Sequence, residues 1–392
     1  TFKERQEMIQ RDSFPDALRG FALLGIALVN IPLLAIDPVA HVEGADLTEF
    51  SNASTAFIVI ALFQAKFYLL FSFLFGYSAH YILKDSKQNR GRWVGRSVGL
   101  VLLGILHFSL LFFGDILFIY GLFGLLLLAF YFRKEKTLKV WAWVTYIVSG
   151  LLLLAVSALT MLGEQFLAMK GKSFPDLTTD DFASVMTNEN FIASISDRLE
   201  LWLTAAPTGF LLQGPMVFVA FLVGVLAARR KALGEGANAS TMKKLAVWGL
   251  TLGLPIQLLS AYIFIQNAVA ENYSYGTYLL SIAINFLAAP ILSAGYVGVL
   301  WLLSRKLQLG LLSSAGKYSL TIYLSQSVVF ATLFSAWGFG LFAKLGVLPV
   351  TLIGFATWLG LALIAKIVAK SGRKGPMESL LTSFSKLFGA KQ

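Results

Sequence analysis

About ten times along the 392 residues, a run of close to twenty mostly apolar residues is bounded by charge, and this spacing constrains the fold more than any motif does. A helix rises about 1.5 Å per residue, so roughly 20 residues cross a hydrocarbon layer about 30 Å thick while pairing every backbone N–H and C=O internally. The runs lie near 17–36, 64–83, 94–112, 115–132, 140–162, 208–228, 245–267, 277–303, 318–336 and 347–369. A 57% hydrophobic share with only 14% charged residues excludes an ordinary soluble domain. The chain therefore reads as an all-α, polytopic transmembrane helical bundle of about ten spans, one integral membrane domain over 1–392. Phe50 to Leu83 is too long for one upright helix, so a tilted or interfacial piece over about 54–63 is expected before the second span. The first apolar run has spanning length and is expected to stay as a span, not to be cleaved as a leader.

Orientation follows from the basic residues, which resist translocation. Most of the 32 Lys and Arg fall on one side of an alternating path. They gather at Arg11 and Arg19, at Lys84 to Arg96, at Arg133 to Lys139, at Arg229 to Lys231, at Arg305 and Lys306, and from Lys366 onward. This sorting predicts both termini in the cytoplasm, with 370–392 a cytoplasmic basic tail. The net charge of +11 then belongs to topology and anionic lipid headgroups, and no nucleic-acid partner is expected. The acidic segment 163–200 is expected to be an extracytoplasmic cap with one or two short helices. With no cysteine, disulfides, thiolate metal sites and a cysteine nucleophile are excluded. No phosphate loop, no HExxH and no cluster of metal-ligating carboxylates is read, so no metal site, ATP-driven pump or zincin is expected, and serine hydrolases are set aside as well.

Ionisable groups inside a membrane are costly, so each one within a span is a candidate for function. In "RSVGLVLLGILHFSLLFFGDILFIYGLFGLL", Arg96 opens the third span, His107 lies in its outer half, and Asp115 follows a tight turn around Gly114. Two readings are open: a carbonyl-bonded histidine with an aspartate capping the next helix, or an Asp-oriented histidine that serves as a general base. In the first span, Asp16 and Arg19 are three apart and share a helix face, and Asn30 stands toward the far end. Arg11 and Arg19, with Arg92 and Arg96 nearby, either mark topology or grip a phosphate or carboxylate. Lys66, at the start of the second span, either snorkels to the outer headgroups, pairs with Asp115 or binds an anion. His80 reads as interfacial and His41 as a residue of the first outside loop. Gln213, Gln257, Asn285, Tyr323 and Gln326 lie within apolar runs, where polar side chains join helices or line a cavity.

The stretches "DALRGFALLGIALVNI", "KFYLLFSFLFG", "LLGILHFSLLFFGDILFIYGLFGLL", "GKYSLTIYLSQS" and "RKGPMESLL" together resemble the YeiB family of bacterial membrane proteins, a numbered domain of unknown function. The resemblance implies a multi-pass protein of the bacterial cytoplasmic membrane, and it assigns no role to Glu378. The first-span pattern is also distantly similar to membrane acyltransferases of the heparan N-acetyltransferase type. That likeness implies a cytoplasmic acyl-CoA as co-substrate, no tightly bound cofactor and a catalytic histidine on the far side, for which His41 is the positional match and His107 the alternative. The expected function is acyl transfer to an extracytoplasmic glycan or lipid. Arg11, Arg19, Arg92 and Arg96 would hold the phosphates, and His107 and Asp115 would do the proton chemistry. The alternative is a proton-coupled transporter or lipid flippase that uses the same His/Asp pair, with Lys66 contacting an anionic substrate.

Overall fold

Helix starts in this chain are set by local chemistry. Proline in the first turn costs no hydrogen bond, because that N–H has no intrahelical acceptor, and Pro15 sits there in α1 (Phe14–Asn30). The computed structural model of the protein describes residues 13–36, 46–175, 181–234 and 236–389, and every element among the described residues is helical. After α1 come α2 (Pro32–Ala35), α3 (Phe50–Leu62), α4 (Lys66–Leu83), α5 (Arg90–Leu110) and α6 (Leu117–Tyr131). The middle holds α7 (Glu135–Met169), α8 (Asp181–Thr187), α9 (Ala193–Leu212), α10 (Gly214–Arg229), α11 (Ala239–Trp248) and α12 (Leu254–Ala268). The last are α13 (Tyr275–Ser304), α14 (Gly310–Lys317), α15 (Ser319–Phe334), α16 (Val347–Ala369) and α17 (Pro376–Leu387). Asn238 and Ser274 cap α11 and α13, accepting from Thr241 N at 2.7 Å and Thr277 N at 3.0 Å.

Among the described residues, 8 helical stretches are long and apolar enough to cross a membrane. The shorter apolar helices α6 and α15 bring the set to the ten runs of the sequence reading. Apolar side chains cover the outside of the bundle: Leu159 on α7 is 67% exposed and Ile367 on α16 is 68% exposed, which hydrocarbon favours and water does not. Inside, α4 lies against α10 so closely that a Cβ on Gly224 would stand 2.1 Å from the Phe73 carbonyl oxygen.

Some boundaries differ from the sequence reading. α7 runs unbroken for 35 residues to Met169, so the segment from 163 begins inside a helix, and its end, from Ala193, belongs to the 20-residue α9. Apolar periodicity marks where a membrane would end but not where a helix stops. The long stretch from Phe50 does divide, at 63–65, where Ala65 takes a φ of 66° with no glycine or proline to announce it. At one end of the bundle the basic residues interlock: Arg229 donates to the carbonyls of Tyr131 and Arg133, and Arg230 pairs with Glu135 at 2.8 Å. The opposite end is covered by α8 and the start of α9, docked through Ala336 N to Met186 O at 2.8 Å and Arg198 Nε to Ser109 O at 2.8 Å.

Candidate functional site

α5 and α6 form a hairpin whose turn lies at the end opposite the basic cluster, and glycine at position 104 lets the two helices meet there. A methyl group on Gly104 would stand 2.4 Å from Phe118 N and 2.7 Å from Asp115 Oδ2, so any larger residue forces the α6 start away. Asp115 caps α6 by accepting Phe118 N–H on Oδ2 at 2.7 Å. Its other oxygen lies 2.7 Å from His107 Nδ1, and neither side chain is exposed at all. A carboxylate in this position holds the Nδ1 proton on the imidazole and leaves the lone pair on Nε2. Nε2 is buried and has no hydrogen-bond partner among the described residues. Asp115 thus caps a helix with one oxygen, as the first reading expected, and orients the histidine with the other, as the second expected, while the carbonyl bond that the first reading gave His107 is absent among the described residues.

Tyr323, on α15, lies against the imidazole with ring centroids 5.1 Å apart, and its hydroxyl is also buried without a partner among the described residues. Tyr323 and Arg96 line a common cavity of about 50 Å3 whose other walls are mostly apolar, among them Ile26, Phe75, Leu100 and Leu381. The Arg96 guanidinium lies over the Phe75 ring at 5.8 Å, and its Nε is buried and unpaired among the described residues. The cavity therefore joins the helix end that carries Arg96 to the surroundings of the His107–Asp115 pair. α9 closes the outside: Trp202 stacks on Phe108 at 4.1 Å, and Arg198, 1% exposed, bonds the Ser109 carbonyl.

The remaining candidates sort clearly. Arg19 and Asp16 form an ion pair at 2.6 Å with Asp16 buried. Arg92 is exposed at the start of α5, and Asn30 is half-buried at the end of α1. Gln326, 2% exposed, donates to the Leu23 carbonyl at 3.4 Å and so joins α15 to α1. His80 bonds the Tyr131 hydroxyl at 3.0 Å, away from the pair. Arg11 and His41 lie outside the described residues.

Lys66 does something that none of its three sequence readings foresaw. Fully buried, it donates to the Ile60 carbonyl at 2.9 Å and to Asn285 Oδ1 at 3.3 Å, closing the break between α3 and α4. Carbonyls freed where a helix ends need donors, and Asn285 Nδ2 to Ile60 O at 3.3 Å and Tyr296 hydroxyl to Leu62 O at 2.8 Å supply more of them. The sequence also contains one pattern that the motif reading passed over: Gly95-Arg96-Ser97-Val98-Gly99 spells GxSxG. α5 runs helical through all five residues, so Ser97 does not stand on the sharp strand-to-helix turn that makes such a serine a nucleophile.

Glu378, to which the sequence reading assigned no role, closes a distant helix end. Its carboxylate accepts Leu320 N at 2.7 Å, Thr321 N at 3.1 Å and Thr321 Oγ1 at 2.5 Å, capping α15 from the distant α17. Only the local string "GPMES", a proline-started helix with an acid in its first turn, hinted at it.

Residues 227–387 match the model of a family described as "Protein of unknown function (DUF418)". The uncharacterized protein YxaH of Bacillus subtilis (strain 168) is 28% identical over 391 residues, covering 94% of this chain and 92% of the relative. The uncharacterized protein YeiB of Escherichia coli (strain K12) is 28% identical over 392 residues, covering 95% of each. A 39.9 kDa protein from the amylase 3' region of Bacillus acidopullulyticus is 36% identical over 149 residues, 36% of this chain. No solved structure matches. Likeness to YxaH and YeiB runs nearly end to end over a bundle of apolar helices, so the chain resembles the YeiB family, and its residues 227–387 match a family of unknown function.

Proposed function

We propose that the protein is an integral-membrane acyltransferase in which His107 is the general base. The observation that carries this reading is the fully buried His107–Asp115 pair, oriented through Nδ1, left with an unpaired Nε2 and packed against Tyr323, which lines a cavity together with Arg96. An acceptor hydroxyl or amine gives its proton to Nε2 as it attacks the thioester carbonyl. The tetrahedral intermediate then collapses to the acylated acceptor, and the leaving thiolate takes the proton back, so His107 ends neutral. Asp115 stabilises the imidazolium between these two steps, and closed packing around the pair keeps water from hydrolysing the thioester. Basic residues at the opposite end, Arg96, Arg19 and Arg92, suit the phosphates of an acyl-CoA. A cell-envelope glycan or lipid is the acceptor class. The test is transfer of label from radiolabelled acyl-CoA to envelope extract by the protein in liposomes. Loss of transfer in His107→Ala supports the reading, and absence of both binding and transfer in the parent refutes it.

A transport reading draws on a different observation, the buried Lys66 at the α3–α4 break. Discontinuous helices with a buried charge are where secondary transporters bind their substrates. Proton-coupled uptake or lipid translocation by the parent, abolished in Asp115→Asn and in Lys66→Met, would favour that reading over acyl transfer.

A further inference from the structure

α17 is not a loose tail. Its inward residue Leu381 is 2% exposed and forms part of the wall of the cavity shared by Arg96 and Tyr323. Phe384 and Phe388 fit into a groove on α5 that exists because positions 95 and 99 are glycine. A Cβ on Gly95 would meet Phe388 at 2.7 Å, and one on Gly99 would meet Leu381 at 2.7 Å. The helix is fastened at its first turn, where the Glu378 carboxylate accepts from the start of the 16-residue α15 and Met377 N–H donates to Thr321 Oγ1 at 3.3 Å. Two consecutive N–H groups and a hydroxyl converging on an anion at a helix N-terminus are what a phosphate recognises. Arg96 lines the same cavity as Ser319 and Leu320 of this corner, and it lies within electrostatic range of both Glu378 and Arg19. In the cavity behind stand Arg96 Nε and the Tyr323 hydroxyl, buried donors with no partner among the described residues, and Tyr323 is only 3% exposed.

The cavity of about 50 Å3 has room for only a few waters, at about 10–15 Å3 each, so a phosphate ester of nucleotide size enters only if a wall moves. Of the elements lining it, α17 is the one that a single competing anion would release. We propose that the α15 N-terminus, with Arg96 and Arg19, is a binding site for a phosphate-type anion. Glu378 is its intramolecular competitor, and a bound phosphate lifts α17 from α5 and opens the cavity. This concerns the site of the proposed acyl transfer and rests on that reading only for which phosphate ester is bound; its test reads accessibility, so the two fail separately.

The 392 residues contain no cysteine, so Leu381→Cys gives a single reporter thiol in this chain. Its labelling by a membrane-impermeant maleimide is followed in phosphatidylcholine nanodiscs. In the parent, labelling is slow. Adding Glu378→Gln raises the rate by about tenfold or more, because a charge-assisted contact is lost. Thr321→Ala raises it by about fivefold, because it removes the hydroxyl that donates to Glu378 and accepts from Met377 N, and serves if the glutamine variant does not fold. Millimolar pyrophosphate accelerates the parent as Glu378→Gln does and adds less than about twofold to that variant. A parallel arm replaces part of the phosphatidylcholine with phosphatidylglycerol and omits pyrophosphate. Acceleration in the first arm assigns the site to a soluble phosphate, and acceleration in the second assigns it to a lipid headgroup. The proposal is overturned if neither arm accelerates labelling, or if folded Glu378→Gln labels at the parent's rate.

Discussion

Asp115→Asn separates the two jobs of one side chain. The carboxylate accepts two buried bonds of 2.7 Å, from Phe118 N and from His107 Nδ1. An asparagine has one acceptor oxygen and one donor group, so it cannot accept both. Asparagine caps helices about as well as aspartate, and the oxygen therefore stays on Phe118 N–H. The amide N–H then faces Nδ1 and forces the imidazole into the tautomer that carries its proton on Nε2. Net hydrogen-bond contributions of about 1.5–3 kcal/mol to a charged group fall to about 0.5–1.5 kcal/mol for a neutral one, so stability drops by about 1–2 kcal/mol. The base, however, has lost its lone pair where substrate would meet it, and transfer falls by about 10²–10⁴-fold. Thermal unfolding in detergent and labelled acyl transfer measure the two effects. His107→Ala and the double change should fall to the same residual rate, because the residues act as one unit. A less than tenfold loss of transfer in folded Asp115→Asn, or strict additivity in the cycle, would show that the pair is a structural cap and nothing more.

Three other substitutions probe the surroundings. Tyr323→Phe removes a buried hydroxyl with no partner among the described residues, so the melting temperature should hold or rise slightly, while transfer falls if that hydroxyl meets substrate; equal loss of both would mean that Tyr323 only packs. Lys66→Met keeps the length of the side chain and leaves Asn285 bonded to the Ile60 carbonyl, so stability should change by no more than about 1–2 kcal/mol and acyl transfer should persist. Abolished transfer with unchanged melting would move Lys66 into the substrate path. Gly104→Val places atoms inside the 2.4 Å approach to Phe118 N, and should cost several kcal/mol, of order 1–3 or more from overpacking alone, together with all transfer; a variant of normal stability and activity would contradict the packing of α5 on α6.

What was legible in the sequence was local. Apolar runs of spanning length gave the class and the ten apolar helical stretches, because a membrane asks the same of each segment independently. The His107–Asp115 contact was legible because only a turn separates the two residues along the chain, and Asp16–Arg19 because one helical turn brings them together. The Lys66 site was not, since Asn285 lies 219 positions away and the break at Ala65 has no glycine or proline to signal it. Glu378 caps residues 57 and 58 positions earlier, and one proline-started helix cannot announce which distant end it will close. Arg198 reads as one basic residue in an acidic loop, yet it is buried on the Ser109 carbonyl.

The distribution of glycines on α5 ties these features into one arrangement. Near its outer turn, Gly104 brings in the start of α6 and with it Asp115, so that the histidine is oriented. Near its other end, Gly95 and Gly99 admit the aromatic face of α17, which covers the cavity wall at Leu381. Arg96 stands within the Gly95–Gly99 patch, eleven residues and roughly 16 Å along the axis from His107. A helix selected only for lipid contact or bundle packing has no reason to keep an arginine, a histidine and two grooves along a single 21-residue length. A helix that conducts a ligand from an anion-recognising mouth to a proton acceptor has a use for all of them. On this argument, blocking either groove should stop the same reaction by different routes: a valine at 104 by displacing the carboxylate that orients the base, and a valine at 99 by keeping α17 off α5 so that the cavity cannot close again over a bound ester.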